Sequence, residues 1–193
     1  MRGVFRPDIT SEEIVDLPII TFDGEIIVVD NLEKFEEVIA ELFKHDFVGL
    51  DTETRPSFQK GHQYQVSLLQ VFCGDKCYLF RLNMIGFPDA LRLWLENDKI
   101  TKVGLSLRDD IRELRKKKDM NPQGFIDLQE IAQNYGIEAL SLKKIGAIVL
   151  GGHISKKQQL SNWEAETLTD KQQVYAATDA WACLEIYNAL QQA

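Results

Sequence analysis

The sequence predicts an α/β fold, a mixed β-sheet flanked by helices, from three observations. Apolar runs of strand length dominate the first 80 residues, strand and helix patterns alternate from residue 88 onward, and one long helix closes the chain. Strands first and strand-helix alternation afterwards imply strands of both directions in one sheet. At 193 residues the chain has the length of one domain, and at this size about 70% of the unfolded surface is buried on folding, enough for a core without covalent staples. Residues 25–193 read as that domain, and residues 1–24 as an N-terminal extension with the start of a hairpin.

The elements follow in order. Ile19 to Phe22 and Glu25 to Val29 flank Asp23-Gly24, a pair suited to a type I′ turn, so a β-hairpin is expected over 19–29. A helix follows, capped by Asp30 or Asn31, because Leu32, Phe35, Val38, Ile39 and Leu42 recur at helical spacing. Strands are expected at 47–53, 65–72 and 77–80, with a polar loop over 55–63. Helix 88–97, strand 101–104, helix 107–118, strand 125–127 and helices 128–135 and 141–149 come next. Thr169-Asp170-Lys171-Gln172 has the form of a capping box and opens a helix running to about 190.

Composition excludes several classes. Hydrophobic residues make up 45% and charged residues 27%, ordinary globular values. No apolar run approaches the 18 or so residues of a membrane span, and Met1 to Pro7 lacks the apolar stretch of an export signal, so a cytoplasmic location is expected. The three cysteines, Cys73, Cys77 and Cys183, are then reduced thiols. Cys73 and Cys77 flank Gly74-Asp75-Lys76 without a second pair to complete a zinc site, and read as two thiols on a hairpin. His45, His62 and His153 are scattered, which argues against a histidine metal centre, and there is no phosphate loop. With 22 basic against 30 acidic side chains the net charge is −8, so general electrostatic wrapping of nucleic acid is disfavoured. An enzyme whose local field is set by bound cations is not.

The informative residues are carboxylates in apolar surroundings. Phe47-Val48-Gly49-Leu50 reads as a strand buried on both faces and runs into Asp51-Thr52-Glu53, where a period of two puts Asp51 and Glu53 on one face. Burial and like charge raise the cost of ionising both, and a divalent cation offsets that cost. In the last helix Tyr175 and Asp179 stand at i and i+4, about 40° apart. Ala182, Cys183, Ile186 and Leu190 share that stripe, so Asp179 lies on a core-directed face. In helix 107–118 the apolar side is Leu107, Ile111 and Leu114; Asp110 lies near its edge and Asp109 nearly opposite, so Asp110 is expected to face inward and Asp109 solvent. Arg108, Arg112 and Arg115 form a stripe about 160° from Asp110 and read as a solvated face, whereas Lys117 projects within about 20° of Asp110 and is the candidate for contacting substrate phosphate.

Asp51-Thr52-Glu53, then Asp110, then Tyr175 with Asp179 resembles, in order and spacing, the 3′-5′ exonucleases of the DEDD superfamily, in the DEDDy subgroup with tyrosine in the third motif. Lys60-Gly61 followed by Val66-Ser67-Leu68-Leu69-Gln70, Lys76 to Phe80, Ser161-Asn162-Trp163 and Leu168-Thr169 extend the resemblance over about residues 25 to 190. They bring it nearest to exonuclease domains of the Werner syndrome helicase type, with ribonuclease D more distant. Ribonuclease D carries an additional helical nucleic-acid-binding domain for which this chain has no room. The resemblance implies a ribonuclease H-like mixed sheet and two-metal hydrolysis of the terminal phosphodiester at a nucleic acid 3′ end, DNA or RNA, releasing nucleoside monophosphates. The implied cofactors are two Mg²⁺ or Mn²⁺, which suit hard carboxylate oxygens, and four carboxylates balance the charge of two such ions. By carry-over Asp51 bridges the ions, Glu53 and Asp179 hold the ion that activates water, Asp110 supports the second ion, and Tyr175 orients the attacking water.

Two alternatives stay open at this point. One is a catalytically silent nucleic-acid-binding or scaffold module on the same fold; such degeneration normally removes metal carboxylates, and all four are present. The other is a non-nucleolytic phosphohydrolase using the same ions.

Overall fold

The computed structural model describes residues 5–59, 61 and 63–193; Met1 to Val4, Lys60 and His62 lie outside the described residues. A six-stranded sheet is built from β1 (Glu25–Val29), β2 (Phe47–Thr54), β3 (Val66–Cys73), β4 (Lys76–Phe80), β5 (Thr101–Gly104) and β6 (Phe125–Asp127), in the order β1-β4-β3-β2-β5-β6. Strand β3 runs antiparallel to both β2 and β4, while the β1/β4, β2/β5 and β5/β6 pairs are parallel, so the sheet is mixed as expected. Every residue of β3 is buried, which is why its sequence is mostly apolar on both faces, broken by Ser67 and Gln70, rather than an apolar-polar alternation.

Helices cover both faces. Phe35 and Leu42 of α2 (Leu32–Leu42), Leu82 and Ile85 of α3 (Leu82–Ile85), Trp94 of α4 (Asp89–Leu95) and Leu107 and Leu114 of α5 (Leu107–Lys117) pack with Val48, Leu50, Leu69 and Val71. On the other face, α6 (Leu128–Gln133), α7 (Leu142–Leu150) and α8 (Asp170–Gln192) pack with Leu68, Phe72, Cys77 and Val103. Helix α8 begins at the expected capping box: the Thr169 hydroxyl accepts from the Gln172 amide, and the Gln172 side chain accepts from the Thr169 amide. Cys73 and Cys77 fall in cores on opposite faces of the sheet, so the two cannot chelate one ion.

The expected hairpin over 19–29 does not form. Strand β1 pairs in parallel with β4, and residues 19–22 take another course: the Ile20 amide donates to the His153 carbonyl at 3.1 Å and the Phe22 amide to the Thr178 hydroxyl at 3.0 Å. The physical reason is Phe22, which is buried against Phe72 and Trp181, a burial unavailable to a two-stranded ribbon at the sheet edge. Gly24 is not in the left-handed region a type I′ turn needs. A Cβ there would lie 2.5 Å from the Phe22 ring and 2.8 Å from the Asp75 carbonyl, so glycine serves close packing instead.

The N-terminal segment therefore lies along the domain. It includes α1 (Ser11–Val15), a single turn missed in the sequence, whose Ile14 packs on Ala147 of α7. The Pro7 carbonyl accepts from the Glu138 amide at 2.7 Å, and Asp8 pairs with Lys144 at 2.8 Å.

A candidate metal centre at the carboxyl end of β2

Alternation along β2 sends Val48 and Leu50 to the α2–α5 face and Gly49, Asp51 and Glu53 to the α8 face. Gly49 permits the approach: a Cβ on it would lie 2.0 Å from the Ala180 carbonyl oxygen and 3.2 Å from the Leu184 Cβ. Helix α8 thus rests directly on the β2 backbone, with Asp179 beside Ala180. Carboxylate oxygens of Asp51, Glu53 and Asp179 all come within 4.8 Å of one another. Beyond Glu53 the β2/β3 register slips by one residue, a bulge of the kind that ends pairing next to functional sites.

Asp110 arrives from the opposite side. Strand β5 ends beside Leu50, and the first turn of α5 brings Asp110 to the Thr52 hydroxyl, which donates to its Oδ1. Asp110 stands outside the close triplet but near enough for the charge of Asp51 to act on it. Asp109 points away, its side chain 71% exposed and paired with Arg112 at 2.9 Å, as helical angles predict. Tyr175, one turn before Asp179, is buried with its ring 5.9 Å from that of Trp163.

Burial first, and then mutual repulsion, hold these groups protonated far above their usual range. Burial and Asp179 push Asp51 up to about 7, burial and Asp51 push Asp110 up to about 7, and burial pushes Asp179 up to about 6. Glu53 is raised by burial and then by Asp51 and Asp179. Burial, then Asp179, Glu53 and Asp51, lift the Tyr175 phenol well above its ordinary value. The folded chain therefore binds more protons than the unfolded chain between the ordinary Asp value of 3.8 and about 7, so the ion-free fold loses stability as pH rises through that window. The site's oxygens fit hard divalent cations: the donor set is all carboxylate, and the buried Asp179 Oδ1 has no hydrogen-bond partner among the described residues.

Several contributors escaped the sequence reading. Lys156 is, among the described residues, the cation that opposes the raised pKa of both Asp51 and Asp179. Its loop runs back from the contact with residues 18–20, a placement no local motif signals. Gln70 stands directly across the β2/β3 ladder from Asp51, fully buried, with neither amide atom partnered among the described residues. Lys117, by contrast the sequence's own candidate for a substrate phosphate, reaches the Gln65 amide oxygen at 3.4 Å near Glu164, while Arg112 is taken up by Asp109 and Glu113.

Comparison with known proteins gives the same picture. A family model described as 3′-5′ exonuclease matches residues 26–193. The bifunctional 3′-5′ exonuclease/ATP-dependent helicase WRN of Mus musculus is 33% identical over 91% of this chain, which spans only 13% of that relative's length. The EXO domain of Nibbler from Aedes aegypti superposes with a TM-score of 0.78 at 24% identity, covering 87% of this chain and 88% of that one. Ribonuclease D of Trypanosoma brucei, solved in complex with RNA U12, superposes with a TM-score of 0.76 at 23% identity, covering 88% of this chain and 63% of that one. The sheet order and its helical layers are thus those of ribonuclease H-like exonuclease domains.

Proposed function

The chain belongs to the 3′-5′ exonuclease family, and from that premise we propose that it is a metal-dependent enzyme of the DEDDy subgroup, removing nucleoside monophosphates from the 3′ end of DNA or RNA by a two-metal mechanism. The observation that carries this reading is the meeting of Asp51, Glu53 and Asp179 oxygens within 4.8 Å in a buried setting. Three such carboxylates cost stability when ionised together and gain it when they share cations. Asp51, Glu53, Asp110 and Asp179 would hold two Mg²⁺ or Mn²⁺. When bound, such a pair supplies a Lewis acid for the phosphoryl oxygens and an acidified water as nucleophile.

The chain's own residues do the rest. The Tyr175 phenol, held by Trp163 and Asp179, orients the attacking water; burial keeps it in its protonated, hydrogen-bonding form in the ion-free site, which suits positioning of the water. Lys117 on the rim meets a backbone phosphate of the substrate strand. A silent scaffold module on this fold has no need of the assembled carboxylates, and they favour the enzyme over it.

The test is digestion of a 5′-labelled oligonucleotide. With Mg²⁺ or Mn²⁺ a ladder shortening from the 3′ end is expected, and with excess chelator an intact strand. Full activity in chelator contradicts the proposal. Matched DNA and RNA strands run in parallel decide between the two substrates, since discrimination rests on contacts to the 2′-hydroxyl.

Two variants sharpen the roles. Tyr175→Phe keeps the ring against Trp163 and removes only the hydroxyl, so turnover should fall by about 10²- to 10⁴-fold with metal affinity unchanged. An equal loss of metal affinity would make the hydroxyl structural. Lys117→Ala should raise KM more than Arg112→Ala, because Arg112 is already paired with Asp109 and Glu113. A larger KM effect for Arg112, with a shallower salt dependence, would place the strand on the opposite side of α5.

A further inference from the structure

Asp110 is the one candidate metal carboxylate carried by a short, separately anchored helix, and the start of that helix is held from outside. Ser106, the residue before α5, sits in the left-handed region at φ 56° and its side chain caps nothing. Its place is taken by Asp127 at the end of β6. Oδ1 of Asp127 accepts from the Ser106 amide at 3.1 Å and Oδ2 from the Leu107 amide at 2.9 Å. Oδ1 also accepts from the Gln129 amide at 3.0 Å, capping α6. One carboxylate thus closes the N-termini of two helices and ties both to the edge of the sheet.

Asp110 is three residues beyond Leu107, less than one turn, or about 4.5 Å of axial rise. The point where α5 starts, and its rotation about its own axis, therefore fix where the Asp110 carboxylate falls. Leu107 and Leu114 hold the helix against the α2–α5 core by apolar contacts, which are non-directional and define its start less sharply than hydrogen bonds to its first amides do. Without Asp127 the Ser106 and Leu107 amides lose the acceptor that ties them to β6, and relaxation of Ser106 to an ordinary φ would turn the first residues of α5. Asp109, the neighbour that would then move inward, is engaged with Arg112 on the solvent side.

We propose that Asp127 is a positioning residue that sets the start of α5 so that Asp110 reaches the ions held by Asp51, Glu53 and Asp179. This rests on the reading of Asp110 as a metal carboxylate. Asp127 touches neither ion nor substrate; it acts on Asp110 through the backbone of residues 106–110 and, more weakly, as a neighbouring like charge, which Asp127→Asn and Asp127→Ala remove equally, so the difference between the two variants reports the backbone route. Partners of metal ligands typically change metal affinity by about 10- to 100-fold when removed.

The experiment is calorimetric titration of Mn²⁺ into the full chain, comparing wild type, Asp127→Ala, Asp127→Asn and Asp110→Asn. Leu42→Ala, a cavity variant in α2, serves as a control for lost stability alone. Asp110→Asn and Asp127→Ala should each weaken the lower-affinity ion by about tenfold or more. Asp127→Asn, which keeps one acceptor oxygen, should weaken it less, and Leu42→Ala should leave it unchanged. Amide exchange at Ser106 and Leu107 should quicken in both Asp127 variants. If Asp110→Asn weakens the second ion but Asp127→Ala binds both ions like wild type, the inference fails and the reading of Asp110 stands. If Asp110→Asn itself binds like wild type, both fail. Should Asp127→Ala not fold, Asp127→Asn decides, and wild-type affinity in that variant overturns the inference.

Discussion

Asp51→Ala is expected to reduce 3′-end degradation by about 10³-fold or more while raising, or leaving unchanged, the stability of the metal-free chain above pH 7. The loss follows from the position of Asp51 between Glu53 and Asp179 on one side and Asp110 on the other. Cation stabilisation of a transferring phosphoryl group is worth several kcal/mol, and each 1.36 kcal/mol is a factor of ten in rate. The gain follows from the same geometry, because Asp51 is held near 7 by burial and by Asp179, so its ionisation above that range costs the fold stability. Activity and melting temperature are measured on the same preparation. A folded variant that keeps its activity would remove Asp51 from the metal centre, and one that loses activity by unfolding would contradict the expected gain in stability.

Gly49→Ala is expected to be the most destabilising single-methyl change near the site. The added Cβ would meet the Ala180 carbonyl oxygen at 2.0 Å, and the offending atom is helix backbone rather than the end of a flexible side chain. Overpacking of this kind costs about 1 to 3 kcal/mol, and a backbone clash belongs at the upper end. A loss of about 3 kcal/mol lowers the melting temperature by roughly 6 to 12 °C in a chain of this length. Because relief requires α8 to retreat, Asp179 moves away from Asp51 and Mn²⁺ affinity should fall together with stability. Ala180→Gly should not rescue the variant, since the clash is with a carbonyl that every residue carries. A Gly49→Ala chain with unchanged melting temperature and metal affinity would mean that β2 and α8 are not in the contact described.

The parts of this site that lie on one element were legible in the sequence. Period two fixes Asp51 and Glu53 on one face of β2, and 3.6-residue periodicity aligns Tyr175 with Asp179 and separates Asp110 from Asp109. No tertiary knowledge is needed for any of these. The contributions that depend on two elements meeting were not legible. Thr52 gains a role only when Asp110 is beside it, and Asp127 reads as a strand end and a local cap until the amides of Ser106 and Leu107 are found on it. The hairpin expected at Asp23-Gly24 failed for the same reason. The turn preference is local, whereas Phe22 gains its burial from Phe72 and Trp181, far away in the chain, and burying a whole aromatic ring outweighs the preference of one turn. The helices Ser11–Val15 and Leu82–Ile85 are too short for a 3.6-residue period to emerge. Family resemblance contributed what periodicity could not, the joining of Asp51, Glu53, Asp110 and Asp179 into one ordered set.

Whether the buried acids of this fold form a two-ion site is decided by titrating Mn²⁺ into the metal-free wild-type chain at pH 6 in buffers of different ionisation enthalpy. Near that pH Asp51, Asp110 and Asp179 are partly protonated in the folded state, so ions must displace protons to bind. The expected result is uptake of two ions per chain with net proton release, the release shrinking and the affinity rising as the pH is raised to 8. Uptake of no ion, or of one alone, would mean that these acids do not form such a site; uptake of two without proton release would mean only that the acids are ionised before the ions arrive.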